Sequence, residues 1–338
     1  MNASEPTIGV VIVSYNTCEL LRACITSLRG CAAPLRVVVV DNASSDGSAA
    51  MVSACFPEIE LVALERNVGF AAGSNVGMTH LLHTSAQFVA IGQLNQPAGN
   101  RTQTADNEQR TTDYILLLNP DTVVHPGAIE DLAAFLAAHP RVGVVGPRLL
   151  NPDGSPQPAA FRFPTLSMTL LDLFPPGEAL PGRLYNSWWH GRYPQESGDA
   201  PFPIDHPLGA CMLVRRAVID EVGLMDEQFF MYAEEVDWCY RIRRAGWAIW
   251  QVPPARVTHV GGAATSQFRA TMLVALYESR LRFFRKHYRP GVVRRHTWII
   301  HLGMLRAVLL AWCEYARNRL RFEELRARLW TYGRIMRL

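Results

Sequence analysis

Runs of four to seven apolar residues alternate along this chain with segments of helical period, and each run stops at polar or turn-forming residues. Residues 9–15, GVVIVSY, are the first such run, β-branched and suited to a buried strand. A helix is predicted over 18–29, where Leu20, Leu21, Cys24, Ile25 and Leu28 share one face, and Asn16 with Glu19 has the spacing of a capping box. Residues 35–40 and 59–64 predict two more strands, with a short helix beginning near Ser45-Asp46-Gly47-Ser48 between them. Strand–helix–strand order of this kind builds a parallel sheet. The run at 115–118 ends at Asn119-Pro120-Asp121, because Pro120 has no amide hydrogen with which to continue a central ladder.

Pro126 opens an Ala/Leu-rich helix to about residue 138, a strand follows over 142–145, and Asn151-Pro152-Asp153-Gly154 is a turn. Another strand is expected over 208–214. From Glu234 a helix begins with Glu234, Glu235 and Asp237 in its first turn and Val236, Cys239 and Tyr240 facing inward. The helix dipole favours acids there, yet three together exceed what capping needs. Residues 249–252 and 257–260 predict two short strands. Two stretches interrupt the alternation. Residues 84–112 are rich in Gln, Asn and Thr and read as a surface loop. Residues 156–203 carry many prolines with Phe161, Phe163, Trp188, Trp189 and Tyr193, and read as irregular, their aromatics either lining a groove or packing.

Length and charge add a second region to this picture. A chain of 338 residues is long for one core. Its net charge of +3 conceals a split: residues 269–338 hold 16 Arg and Lys against 4 acids, a net +12, while the rest holds 17 against 26, a net −9. Residues 1–268 are therefore read as one domain and 269–338 as a basic helical region suited to an anionic surface. Within it the apolar stretch 298–313 is broken by His301 and Arg306 and is shorter than a spanning helix needs. The basic segment 280–330 is expected to dock on an anionic membrane face, or else to pack as a hairpin on the main domain or on a second copy in a homo-oligomer. The seven cysteines form no CxxC pair and read as reduced core residues of a cytoplasmic protein, and no secretory leader is apparent before Gly9.

Several stops between elements carry chemistry. Asp121, pushed past a strand end, is placed to hold a hard divalent cation together with phosphate oxygens, although an Asn-Pro-Asp turn accounts for the same residues. Small residues at 69 and 71–73, where a helix begins, suit a diphosphate or simply close helix packing. Seven segments in order, VVIVSYN (10–16), VVDNASSDGS (39–48), ERNVGFAAGSNVG (65–77), LLLNPDT (116–122), GACMLVRR (209–216), FFMYAEEVDWCYRIRRAG (229–246) and THVGG (258–262), resemble the family 2 glycosyltransferases, within them the bacterial rhamnosyltransferase-like group. The resemblance spans most of residues 8–262.

That resemblance implies an α/β fold of the GT-A type, with a central mostly parallel sheet flanked by helices and a C-terminal helical appendage. It also implies inverting transfer of a sugar from a nucleotide diphosphate donor, assisted by Mg2+ or Mn2+. Rhamnose from dTDP-rhamnose is the donor it favours, and a glycan or polyprenyl-linked glycan of the cell surface is the acceptor. Carried over by position, Ser14, Asn16, Asp41, Arg66, Asn67, Gly69, Asn75, Asn119 and Asp121 are donor-binding. Asp121 and His259 are metal ligands, with Asn119 standing where relatives keep an acid. Glu235 stands where relatives have the Asp of a Glu-Asp pair and is the general base, with Glu234 and Asp237 beside it. The 84–112 loop or the 156–203 region is the expected lid. A catalytically inactive nucleotide-sugar-binding or scaffold protein is the alternative. A pyrophosphorylase would need a Gly-rich basic loop after the first strand, and no nucleic-acid module is present.

Overall fold

The computed structural model describes residues 6–83, 112–175, 187–262 and 269–338. The polar loop expected over 84–112 falls almost wholly outside the described residues, as does part of the irregular 156–203 region. In chain order come β1 (Ile8–Ser14), α1 (Cys18–Leu28), β2 (Leu35–Asp41), α2 (Ser48–Cys55), β3 (Glu60–Ala63) and α3 (Phe70–His83). Next are β4 (Tyr114–Leu118), β5 (Thr122–Val124), α4 (Ala128–Ala138), β6 (Val142–Leu150), β7 (Pro156–Gln157) and β8 (Ala160–Phe161). They lead into α5 (Leu166–Leu173), β9 (Phe202–Pro203), β10 (His206–Pro207), β11 (Cys211–Arg215), α6 (Arg216–Val222), α7 (Glu234–Arg244) and β12 (Ala248–His259). Helices α8 (Arg269–His287), α9 (Pro290–Ala316) and α10 (Phe322–Ile335) complete it.

The main sheet runs β3-β2-β1-β4-β11-β6-β12-β5. β3, β2, β1 and β4 are mutually parallel, β11 runs antiparallel between β4 and β6, and β12 is again parallel to β6. Alternation within β1 feeds two cores. Ile8, Val10 and Ile12 pack with Leu21, Cys24, Ile25 and Leu28 of α1, while Val11 and Val13 pack with Met78 and Leu81 of α3 and Trp238 of α7. Helices thus cover both faces, as a parallel sheet of near-continuous apolar strands requires.

Register decides where polar residues emerge. Ser14 pairs with Asp41 and Ile12 with Leu118, so the ends of β1, β2 and β4 reach one edge of the sheet. β11 enters from that edge, with Cys211 opposite Leu118, and β12 leaves towards it, with His259 opposite Thr122 of β5. Ligands of open α/β sheets bind at such carboxyl edges.

Several local expectations need correction. The predicted Asn16–Glu19 capping box does not form: Asn16 is left-handed (φ 52°), and the first amide of α1, that of Cys18, donates instead to Asp46 Oδ2 at 2.8 Å. The strands expected at 249–252 and 257–260 are one strand, β12, whose register shifts between Val252 and Arg256 around Pro253-Pro254; prolines that cannot join a ladder are absorbed by an irregularity. The 156–203 region contains a helix, α5, started by Thr165, whose Oγ1 accepts from the Met168 amide. Four cysteines, at 24, 31, 211 and 239, are buried, but Cys55 and Cys313 are exposed, so not all seven are core residues. The apolar stretch 298–313 lies inside a 27-residue helix, long and apolar enough to cross a membrane by length and composition alone.

Candidate active site

A cavity of about 440 Å3 opens at the carboxyl edge of the sheet. One wall comes from the loops after β1, β2 and β3. Asn42, directly after β2, ties these loops together: its amide donates to Asn67 Oδ1 (2.9 Å) and to the Gly69 carbonyl (3.2 Å), and its Oδ1 accepts from the Val68 amide at 2.8 Å. Asp41 beside it is 3% exposed. Its Oδ2 accepts from the Ser44 amide, while Oδ1 is buried without a partner. A buried carboxylate oxygen with no donor is costly, so this position is built for a donor that the protein itself does not supply. Asn16 Oδ1 accepts from the Ser45 amide at 2.8 Å and Ser14 Oγ pairs with Thr17 Oγ1, so both hold the loops without lining the cavity.

The small residues of α3 have a physical explanation inside the protein. Gly69 has φ +89°, and a Cβ there would stand 2.3 Å from the Phe230 carbonyl oxygen. That oxygen accepts from the Phe70 amide at 2.9 Å. Gly73 and Gly77 leave room for Val13 and Val11. Close packing therefore uses the space that the sequence offered equally to a diphosphate, although Gly69 and Asn67 still line the cavity. Arg66 is exposed away from the wall, and Asn75 clamps the Met225 backbone through both its amide atoms.

The floor is the β4–β5 turn. Asn119, Pro120 and Asp121 line the cavity together, and the Asp121 carbonyl accepts from the Val260 amide at 2.9 Å, which draws the end of β12 alongside. His259 Nε2 consequently lies 3.4 Å from Asp121 Oδ1. The other ring nitrogen, Nδ1, is 2.7 Å from Gln157 Oε1, and Gln157 Nε2 points to Asn151 Oδ1 and the His259 carbonyl. This arrangement makes Nδ1 the donor and turns the Nε2 face towards a carboxylate oxygen. Two electron-rich atoms so placed call for a proton or a cation between them. Among the described residues no group of three or more His, Cys, Asp or Glu is placed to hold a metal ion, and at this floor Asp121 and His259 are the candidate pair.

Opposite the floor is the start of α7. Tyr232 (φ 68°) and Ala233 (φ 63°) are both left-handed, strain that L-residues adopt at a cost of about 1–3 kcal/mol each and that concentrates at working sites. The Met231 carbonyl is held by Ser279 Oγ of α8 at 2.8 Å. Glu234 and Glu235 then face the cavity, each with its Oε2 buried and unpartnered. Burial pushes the Glu235 carboxyl up to about 7. Burial, and then the neighbouring Glu235, also push the Glu234 carboxyl well above its ordinary value. Glu235 is the less buried of the pair. Asp237 points away: it is fully buried against Arg241 (3.0 Å), Lys286 (2.8 Å) and His287 (2.6 Å), and the hydrogen bonds from His287, Lys286 and Arg241 overcome its burial to hold it at about 2. The structure brings Asn67, Gly69, Asn119, Asp121, Glu234, Glu235 and His259 to one cavity, and leaves Ser14, Asn16, Asp41, Arg66, Asn75 and Asp237 outside its lining.

Further lining residues were not singled out from the sequence: Asn42, Tyr15, Phe230, Met231 and Tyr232, and Thr271 and Met272 from the start of α8. Asn42 follows Asp41 at a strand end, a signal that could have marked it; Thr271 and Met272 lie in a helix whose approach depends on tertiary packing.

Comparison with known proteins bears on the family and the fold. The family described as Glycosyltransferase like family 2 matches residues 6–282. An N-acetylglucosaminyl-diphospho-decaprenol L-rhamnosyltransferase of Mycobacterium tuberculosis is 31% identical over 273 residues, covering 80% of this chain and 81% of that protein. The low-salt glycan biosynthesis hexosyltransferase Agl10 of Haloferax volcanii is 27% identical, covering 80% of this chain and 72% of its own. In fold the chain is similar to the mannosyltransferase PcManGT of Pyrobaculum calidifontis, solved with GDP-Man and Mn2+, with a TM-score of 0.52 at 13% identity, over 99% of this chain and 86% of the other.

Proposed function

This chain belongs to the glycosyltransferase family 2, and from that premise we propose that it is an inverting enzyme that moves rhamnose from a nucleoside diphosphate donor to a lipid-linked glycan. The rhamnosyl donor and the polyprenyl-linked acceptor are inferred from the activity named for the mycobacterial relative and from the motifs of the rhamnosyltransferase-like group. The observation that carries the reading is that Glu234 and Glu235 line one cavity together with Asp121 and His259. A carboxyl near 7 is matched to general-base work at neutral pH.

In this reading the nucleoside lies against the loops after β1 to β3, with its donor groups on Asp41 Oδ1. The acceptor hydroxyl approaches from the α7 side, between Glu235 and the Phe230–Tyr232 turn. Its oxygen attacks the anomeric carbon, Glu235 takes its proton, and the bond to the diphosphate oxygen breaks with the electron pair leaving on the nucleoside diphosphate. One displacement of this kind inverts the anomeric configuration. Asp121 and the Nε2 face of His259 are the residues that would hold a divalent cation. Such an ion, when bound, supplies Lewis-acid stabilisation of phosphate charge. Asn119, a neutral residue in the floor, adds a hydrogen-bonding group in place of a second anionic ligand.

The test is a transfer assay with purified protein, dTDP-rhamnose and a prenyl-diphosphate-linked acceptor, run beside a thermal-shift screen of nucleotide sugars with and without Mn2+. A ligand that binds the native state raises its melting temperature by mass action, so dTDP-rhamnose should give the largest rise and the only efficient turnover. A larger rise and faster transfer with another sugar nucleotide would replace the donor, and binding without turnover of any donor would leave a nucleotide-sugar-binding protein instead.

A further inference from the structure

Helix α9 is apolar on two opposite faces, and only one of them is covered. Ile300, Gly303, Met304 and Ala311 pack inward; at Gly303 a Cβ would meet Leu173 of α5 at 2.8 Å, so this face is fitted closely. On the opposite side Trp298, Leu302, Leu305, Leu309 and Trp312 recur at intervals of four and three and are each 48–67% exposed. At a rise of about 1.5 Å per residue they form a continuous stripe some 21 Å long. An amphipathic surface helix hides its apolar stripe, and exposed apolar patches of this extent mark interaction sites.

We propose that this stripe is a membrane-docking surface that seats the enzyme on anionic lipid headgroups. Charge selects that occupant over a second copy of the chain. Arg294 and Arg295 precede the stripe and Arg317 and Arg319 follow it, all exposed and without an acidic partner among the described residues. No Asp or Glu occurs between residues 279 and 313. Any two-fold pairing of two such helices, parallel or antiparallel, sets an arginine end against an arginine end, and the one acid on α9, Glu314, is already paired with Arg328 at 2.8 Å. An anionic surface satisfies both ends at once while the stripe enters the acyl boundary, and tryptophans near both ends suit that interface. The packed face keeps α9 against α5, α8 and α10, so the helix lies along the surface rather than crossing it. The purpose of the dock, access to an acceptor held by a prenyl chain, rests on the reading above; the dock itself does not.

Sedimentation of the full chain with vesicles tests it, without donor or acceptor, so the outcome is independent of the proposed reaction. Vesicles of phosphatidylglycerol and phosphatidylcholine should bind the protein at low salt, and pure phosphatidylcholine should not. Leu302→Ser/Leu305→Ser/Leu309→Ser, at exposed positions, should weaken binding about tenfold or more, and Arg294→Gln/Arg295→Gln/Arg317→Gln/Arg319→Gln should do so as well. The arginine variant keeps the apolar stripe, so it remains informative if the leucine variant misfolds. Absence of binding by the wild type, or wild-type binding by both variants, overturns the proposal. So does a dimer in analytical ultracentrifugation that the leucine variant dissolves, which would assign the stripe to a second copy.

Discussion

Glu235→Gln should remove transfer and at the same time stabilise the protein at alkaline pH. A buried carboxyl raised from its ordinary value near 4.5 to about 7 holds a proton in the folded state that the unfolded chain has already lost. Between pH 4.5 and 7, therefore, folding stability falls as pH rises, and above 7 the full cost is present. That cost is on the order of 3 kcal/mol, an upper bound because Glu235 borders an open cavity. The amide carries no charge at any pH and escapes it. Urea unfolding of wild type and variant at pH 5 and pH 8 should give similar midpoints at pH 5 and a higher midpoint for the variant at pH 8. Turnover should fall about a hundred- to ten-thousand-fold, with donor affinity kept. In the wild type, activity should rise tenfold per pH unit towards about 7 and level off above it. Glu234→Gln is the control. It leaves the Glu235 carboxyl in place, so most of the transfer should be kept. The reasoning fails if Glu235→Gln turns over normally, or if it loses activity with no gain at pH 8; inactivity of Glu234→Gln alone would move the base one residue back.

Asp121→Asn should keep the fold, as read by circular dichroism, but raise the donor dissociation constant in Mn2+ about ten- to hundredfold; an unchanged constant would remove Asp121 from the site. Asp237→Ala should leave Lys286 and His287 without their buried anion and cost about 3–5 kcal/mol in chemical unfolding. Because the Asp237 carboxyl is held at about 2 when folded, this contribution is present above its ordinary value near 4 and should vanish as pH falls towards 2. Gly69→Ala should cost about 1–3 kcal/mol and weaken donor binding, since φ +89° strains alanine and its Cβ would collide with the Phe230 carbonyl; wild-type stability would refute the close approach.

The near-continuous apolar runs of β1, β2 and β4 and the spacing of Leu21, Cys24, Ile25 and Leu28 determine a sheet covered on both faces, because successive strand side chains point to opposite faces. Pro120 determines where β4 ends, and the order of segments was sufficient to reach the family. Helix α5 and the unity of β12 were not legible, because one rests on a single capping hydroxyl and the other on partners in β6 that hold a proline pair in line. The pairing of His259 with Asp121 needed β12 to run beside β5, and the contact of Asp237 with His287 needed α8 to dock on α7. Three acids in one helical turn look alike in sequence, but Arg241 and the docking of α8, which brings Lys286 and His287, draw Asp237 into a cluster of donors and leave Glu234 and Glu235 on the cavity. Likewise, only packing shows which of the two apolar faces of α9 is covered. Periodicity is written locally and survives without a partner, whereas the direction in which a charged side chain points depends on neighbours supplied by the strand order and the helix packing.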